Sequence, residues 1–219
     1  MDSADCDEAQ LLRTVKQFRL INRLFSNTRA ALRRYVLDDA PGRFSIIDVG
    51  AGGGDIMQWL VAACRRRRVD VSVTCIDADP RIAAYARTAS ASYPEITVRC
   101  ATLEAVGDTE RYDYVFANHL LHHYPDAAIP KTLSALSRMG KRRLIVSDIY
   151  RSRAAHTLFG LFAAFFCHNS FARFDGMLSI RKGFIPSELE AFAKAAGIDD
   201  RTTIVKQQPA RLIMVCEAE

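Results

Sequence analysis

The sequence predicts an α/β protein whose parallel sheet carries helices on both faces. Three observations predict it. Short apolar, β-branched runs alternate with helix-patterned segments from Phe44 to Ser147, and that alternation is the signature of a crossover-connected parallel sheet. The first strand ends in a glycine-rich turn that opens a helix. The chain closes with two strands that flank Gln208-Pro209, too near each other for a parallel crossover and therefore an antiparallel pair.

The elements follow in order. Residues 9–37 repeat Leu11, Leu12, Val15, Phe18, Leu20, Ile21, Leu24 and Phe25 at spacings of three and four, the pattern of amphipathic helix. A break is expected near Ser26-Asn27, and Asp38 to Gly42 ends the run. Phe44 to Val49 reads as a buried strand. Ile56 to Arg66 is helical, Val69 to Ile76 a strand, and Pro80 to Ala91 a helix opened by Pro, a residue suited to the first turn. Ile96 to Val98 and Tyr112 to Ala117 are strands. Asp126 to Met139 is a helix closed by Gly140, and Leu144 to Ser147 is a fifth strand. Residues 150–182 form a Phe-rich excursion without a clear strand. Ser187 to Ala196 is a helix, with Ser187 as its expected cap and Gly197 as its stop. The closing strands are Thr202 to Val205 and Arg211 to Cys216.

Composition narrows the function classes. The chain has 219 residues, 49% of them hydrophobic and 25% charged, which is globular and long enough to bury a core without staples. The most apolar run, Leu158 to Cys167, is half the roughly 20 residues of a membrane-spanning helix. The N-terminus is acidic and has no apolar leader core, so a cytoplasmic location is expected. The net charge is +5. The run Arg65 to Arg68 suits a helix C-terminus better than a nucleic-acid patch, so no nucleic-acid partner is expected. The six cysteines form no CxxC pair, which predicts reduced thiols and neither a disulfide framework nor a zinc site. No repeat or linker interrupts the chain, so residues 1–219 read as one domain.

The chemistry begins at Ile46-Ile47-Asp48-Val49-Gly50-Ala51-Gly52-Gly53-Gly54-Asp55. Glycine serves where backbone approaches a ligand or takes positive φ, and the first turn of a doubly wound sheet is its nucleotide site. A dinucleotide fingerprint would need a third glycine at Asp55 and fails there. A Walker loop fails for want of Gly-Lys-Ser/Thr. The pattern D-x-G-x-G-x-G is met by Asp48, Gly50, Gly52 and Gly54. One crossover later, Asp77 stands at the end of the second strand, where a carboxylate can accept ribose hydroxyls.

With these motifs the chain resembles the class I S-adenosylmethionine-dependent methyltransferases, over Phe44 to Ser147 by motif and on through the closing antiparallel pair. The resemblance implies a Rossmann-like, doubly wound, seven-stranded sheet whose last strand is antiparallel. It implies N-terminal helices over 9–37, a cofactor-binding core over 44–148, a helical substrate cover over 150–182, and a C-terminal helix with the strand pair over 183–219. It implies S-adenosylmethionine as cofactor, with Asp48, Gly50, Ala51, Gly52 and Gly54 at its methionine side. Asp77 would bind the ribose, with Ala78 beside the adenine. The acid that the family often carries after strand three is replaced by Ala101, so backbone around Thr102 and Leu103 is expected to hold the adenine. Asn118 and His119, at the end of strand four, complete the cofactor set.

Three of the five histidines fall within His119 to His123, at the rim where open α/β sheets bind ligands. Histidine suits proton removal near neutral pH, so His122 or His123 is the expected base, although such residues also cap helices and pack under loops. His119 and His123 are four apart, yet no third metal ligand is patterned nearby, and no metal is expected. Asn118 to His123 resembles the Leu-His-His segment of small-molecule methyltransferases, and Asp148 matches the acid that accompanies it. Leu20 to Phe25 and Phe174 to Arg181 resemble segments of bacterial methyltransferases encoded beside polyketide synthases.

The expected function is methyl transfer to a small apolar acceptor, a phenolic or enolic hydroxyl of a secondary metabolite. Carbon methylation of a phenolic or quinone precursor is the alternative. RNA methylation and a binding-only protein are weaker alternatives: the motifs usual after strand four in RNA enzymes are missing, and the glycine turn is intact. The sequence does not set the oligomeric state.

Overall fold

The computed structural model describes residues 7–21, 26–106, 110–166 and 171–218. Most of the N-terminal segment 20–25 compared above, as well as Cys6 and Cys167, lies outside the described residues.

Seven strands form one sheet in the order β3-β2-β1-β4-β5-β7-β6. They are β1 (Arg43–Val49), β2 (Asp70–Asp77), β3 (Ile96–Cys100), β4 (Tyr112–Asn118), β5 (Gly140–Ile149), β6 (Thr202–Gln207) and β7 (Arg211–Glu217). The first five run parallel, and β7 inserts antiparallel between β5 and β6. The chain order reverses between β1 and β4. That switch point opens a crevice at the C-terminal strand ends, where α/β sheets bind ligands.

Two apolar layers sandwich the sheet. One joins Ile47, Val115, Val146 and Met214 to Leu133 and Leu189. The other joins Ile46, Phe116, Ile145 and Val215 to Leu32, Met57 and Leu60. The alternation of neighbours between layers is the strand period of two, and β1, β4 and β5 read as unbroken apolar runs because both faces are covered.

Nine α-helices are seen among the described residues: α1 (Glu8–Ile21), α2 (Thr28–Leu32), α3 (Asp55–Arg67), α4 (Pro80–Ala89), α5 (Leu103–Val106), α6 (Ile129–Met139), α7 (Arg153–Phe166), α8 (Ala172–Lys182) and α9 (Pro186–Ala195). The expected break stands before α2, where Asn27 takes the left-handed conformation at φ 48°. Asp79 caps α4, accepting the Arg81 N–H at 2.9 Å, and Gly197 at φ 70° follows α9.

Three expectations are corrected. Ser187 does not cap α9; Ile185 does, with Pro186 at the first turn and Glu188 accepting the Ile185 N–H at 3.0 Å. Strand five is longer than Leu144 to Ser147, because Gly140 passes straight from α6 into β5 rather than opening a turn. The helix expected from Asp126 begins with a 3₁₀ turn and turns α only at Ile129.

The arginine run ends α3. Arg65 grips Glu95 through two bonds of 2.8 Å, and Arg67 donates to the Leu37 carbonyl at 2.7 Å. Cys64, Cys75, Cys100 and Cys216 are free thiols.

The Phe-rich excursion is helical. Helices α7 and α8 form a hairpin packed at Gly176, where any Cβ would strike the Phe159 ring. The Phe171 N–H at the start of α8 donates to Thr14 Oγ1 of α1 at 3.0 Å. A Tyr150–Phe184 bridge then returns the chain to the edge of the crevice. Among the described residues no helix is long and apolar enough to cross a membrane.

Candidate active site

The crevice widens beneath the cover into a cavity of about 1210 Å³, room for two small molecules side by side. One end is the glycine turn. Gly50, Gly52 and Gly54 all have positive φ, 73°, 55° and 72°. Gly50 and Gly52 line the cavity, and a Cβ at Gly50 would also come within 2.9 Å of Leu120 Cδ1. Gly54 serves the helix instead, standing at the N-cap of α3 in the left-handed region and outside the lining.

The acids sit where the strands deliver them. The Asp77 carboxylate accepts the Gly52 N–H at 2.9 Å and the Asp79 N–H at 3.0 Å, which fixes it at the turn's edge. Burial raises its pKa against the pull of those two bonds. Asp48 is 2% exposed. Burial, then the charges of Asp55 and Asp77, push its carboxyl well above the ordinary range, and its Oδ1 is buried without a hydrogen-bond partner among the described residues. A buried acid with an orphaned oxygen beside a glycine cradle fits a cationic ligand. S-adenosylmethionine brings such charge in its sulfonium and ammonium groups, so the residues present fit it.

Ala78 and Ala51 line the same end, followed by Asp79, Pro80, Arg81 and Ile82. Thr102 and Leu103, whose backbone is expected at the adenine, are not among the residues that line the cavity. Leu103 is committed to the core at 8% exposure, and Thr102 Oγ1 accepts the Ala105 N–H inside the first turn of α5. The wall from Asp79 to Ile82 is one that sequence reasoning misses. The second acid of Asp77-Ala78-Asp79 is the one local signal of it.

At the middle of the cavity β4 ends. Asn118 is buried and accepts from Thr28 Oγ1 at 3.3 Å. His119 takes φ 57° and donates its N–H to the Ser147 carbonyl at 2.9 Å. Burial first, then the charges of Arg211, His122 and His123, hold the His119 imidazole well below its ordinary pKa, so it is neutral. The Arg211 Nη1 lies 3.4 Å from His119 Nδ1. Guanidinium can only donate, so Nδ1 is the accepting nitrogen.

His122 is 4% exposed and Asp148 fully buried. Their Nδ1 and Oδ1 atoms are 2.7 Å apart. Asp148 also accepts the N–H groups of Leu121 at 3.0 Å and Ile149 at 2.7 Å. Burial would raise the Asp148 carboxyl, but His122, the Ile149 N–H and Arg211 outweigh it and hold it below the ordinary carboxylate range. An ionised carboxylate only accepts, so His122 donates through Nδ1 and keeps the Nε2 lone pair. His122 lines the cavity. His123 is exposed at its rim, its ring 4.3 Å from that of His122.

The turn Leu121–His123 is 3₁₀, so His119 and His123 do not share the helical face expected of a metal pair. His119, His122 and Asp148 instead bring ligand atoms within 4.8 Å of one another. The Arg211 guanidinium beside His119 opposes a metal cation there, and Asp148 Oδ1 is already taken by His122. The trio is better described as a hydrogen-bonded pair and a neutral neighbour.

Tyr150, Phe159, Phe162, Lys206 and Arg211 wall the far end. Of these, Tyr150 and the two phenylalanines fall in the cover expected over 150–182, and Lys206 and Arg211 do not.

Residues 46–143 match a family model described as a methyltransferase domain. No curated protein matches the sequence. Among solved structures the chain is similar to magnesium protoporphyrin IX methyltransferase from Synechocystis with bound S-adenosylhomocysteine, at 16% identity over 100% of this chain and 90% of that one, TM-score 0.60. A SAM-dependent methyltransferase from Aquifex aeolicus is similar at 16% identity over 98% and 100%, TM-score 0.68. Human N-acetylserotonin methyltransferase in complex with SAM is similar at 16% identity over 97% of this chain and 56% of that one, TM-score 0.69. At these identities the likeness speaks for the fold; the matched domain and the D-x-G-x-G-x-G turn speak for the chemistry. Residues 46–143 thus match a methyltransferase domain, the chain as a whole shares the fold of solved S-adenosylmethionine-dependent methyltransferases, and the residues of the glycine-turn end fit that cofactor.

Proposed function

We propose that the protein methylates a hydroxyl of a small, largely apolar acceptor, with His122 as general base and Asp148 as its positioning residue. The observation that carries this reading is the buried 2.7 Å contact between His122 Nδ1 and Asp148 Oδ1 at the cavity wall.

The bound cofactor supplies a methyl group on an electrophilic sulfonium. The chain's own residues do the rest. Gly50, Ala51, Gly52 and Asp77 hold the nucleoside and methionine parts by backbone approach and one carboxylate, and Asp48 offsets positive charge. Helices α7 and α8 exclude water and press the acceptor toward the middle of the cavity. His122 Nε2 takes the hydroxyl proton. Asp148 keeps Nδ1 protonated, so that the lone pair stays on the cavity side and the imidazolium is stabilised after transfer. Two of the similar enzymes are named for protoporphyrin and N-acetylserotonin, which agrees with a small-molecule acceptor. The apolar cover supports one with an aromatic or alkyl body.

The test is His122→Ala, assayed by S-adenosylhomocysteine release. A positioned base contributes about 10²–10⁴-fold, so kcat falls by about that factor while the Kd for S-adenosylhomocysteine stays within twofold. The residual rate climbs with pH as the acceptor ionises unaided. A kcat within a few-fold of the unaltered enzyme overturns the base assignment. NMR of the product separates oxygen from carbon methylation.

A further inference from the structure

The two ends of the cavity carry opposite charge. The glycine-turn end is lined by Asp48, Asp55, Asp77 and Asp79, with Arg81 as its cation. Arg81 is tied to Asp79 at 2.6 Å. The end beneath β5 and β7 is lined by Arg211, opposite Ile149, and by Lys206, over the Tyr150 ring. An acidic end suits a cationic cofactor. The basic end calls for a different occupant.

Arg211 is the sharpest element of that end. It opens β7, opposite Ile149 of β5, two strands beyond β4 and away from the cofactor turn. It is 5% exposed, yet it lines the cavity. The single hydrogen-bond contact of its guanidinium among the described residues is the long one to His119 Nδ1, and no carboxylate forms an ion pair with it there. Burial lowers its pKa to about 10 in spite of Asp148, so it remains charged at neutral pH. A guanidinium has five donors in a planar fork. Taking one from water and leaving it so thinly partnered is costly, and a planar oxyanion meets that fork with two parallel bonds. Lys206 is exposed at the mouth of the same end, its Nζ 4.8 Å above the Tyr150 ring.

We propose that the acceptor carries a carboxylate, which Arg211 binds at the β7 end of the cavity, with Lys206 drawing it in. Resting on the hydroxyl-methylation reading above, this narrows the acceptor class to hydroxy acids with an apolar body. The carboxylate anchors the molecule at Arg211 and so presents a neighbouring hydroxyl to His122, two side chains that both stand beside His119. Arg211 is then a specificity-determining residue rather than a counter-ion for Asp148 alone.

The experiment is calorimetric titration of the S-adenosylhomocysteine-loaded enzyme with a 6-alkylsalicylate and, separately, with its primary amide. Charge-assisted bidentate bonds predict that the acid binds about tenfold tighter or more. Arg211→Gln abolishes the preference, Arg211→Lys keeps part of it, and both retain S-adenosylhomocysteine affinity within twofold. Lys206→Gln, an exposed change that leaves the core untouched, weakens the acid a few-fold and the amide not at all; this keeps the proposal testable if Arg211→Gln fails to fold. Equal binding of acid and amide, binding of neither, or a preference that survives Arg211→Gln overturns the proposal. So does a large loss of S-adenosylhomocysteine affinity in that variant, which would assign the guanidinium to the cofactor. Fragmentation mass spectrometry of the turned-over acid, with ester hydrolysis as its control, keeps the two readings apart. A methyl ester as product overturns hydroxyl methylation while leaving the anion preference standing. A phenol ether without any acid preference does the reverse.

Discussion

At the glycine-turn end of the cavity the walls come from two short stretches, residues 48–53 and 77–82, at the ends of two neighbouring strands. At the cover end they are gathered from the turn after β4 and from β5, α7, α8, β6 and β7, residues 119–211. The first end presents N–H groups, positive-φ glycines and acids, and its shape follows from two adjacent crossovers. The second presents an imidazole, a guanidinium and aromatic rings, each held by a partner far away in sequence. A backbone cradle fixes what all substrates of the reaction share, the cofactor. A wall of side chains sets what is particular, the acceptor, and can change without disturbing the sheet.

Substitution at either end tests whether the two walls act separately. The largest effect is expected at the pair that joins the two ends. Asp148→Asn leaves His122 without an obligate acceptor and frees it to adopt the wrong tautomer, so kcat falls by about 10²-fold or more. The Kd for S-adenosylhomocysteine holds, and a thermal melt checks that the variant folds. If kcat barely moves, Asp148 is only a buried anchor for the Leu121 and Ile149 N–H groups.

At the cofactor end, Asp77→Ala removes a carboxylate that also ties down Gly52. Titration calorimetry with S-adenosylhomocysteine is expected to show a roughly 10- to 100-fold weaker Kd, with the acceptor KM unchanged. A rise in both would mean that the turn itself has collapsed. Phe162→Ala tests the opposite end. Its ring is half-buried in the cover and lines the cavity. Steady-state kinetics should give an acceptor KM roughly tenfold higher against a cofactor KM within twofold. Equal shifts would reduce the cover to plain core.

The smallest effect is on stability against pH and concerns the seam between the ends. The fold holds His119 neutral, with a pKa below the ordinary value near 6.5. The unfolded chain takes up a proton as pH falls through that value and the folded chain does not, so the contribution is full above it and is lost below. Tm measured between pH 8 and pH 5 should fall less for His119→Asn than for the unaltered protein. Asparagine tolerates the left-handed backbone at this position, so the comparison isolates the titration. Parallel slopes would show that other groups govern the acid limb.

Local patterns carry most of the fold. Alternating apolar runs, the glycine turn and the close strand pair around Gln208-Pro209 each announce themselves within a few residues, and sheet order follows from crossover rules. The errors fall where one residue has two local uses. Ser187 is a good cap by type, yet Pro186 at the first turn moves the cap to Ile185. Gly140 marks the end of a helix, yet its extended backbone begins a strand at once.

The glycine-turn end of the cavity was legible in the chain before it folded. Asp48, Gly50, Gly52 and Asp77 lie within thirty residues, and the rules linking them to a ligand concern strand ends and backbone conformation, which short-range pattern encodes. The acceptor half took shape only through long-range packing. Nothing local distinguishes His122 from His123. The 2.7 Å bond to Asp148 does, because it needs β5 to lie beside β4 and a 3₁₀ turn to swing one ring inward and the other out. Nothing local separates Arg211 from the other arginines. It becomes a binding group because β7, inserting antiparallel beside β5, carries its first residue into the crevice, where burial leaves a charge with few partners. Burial and long-range pairing exist only after the chain has closed on itself, and on them the choice of acceptor rests.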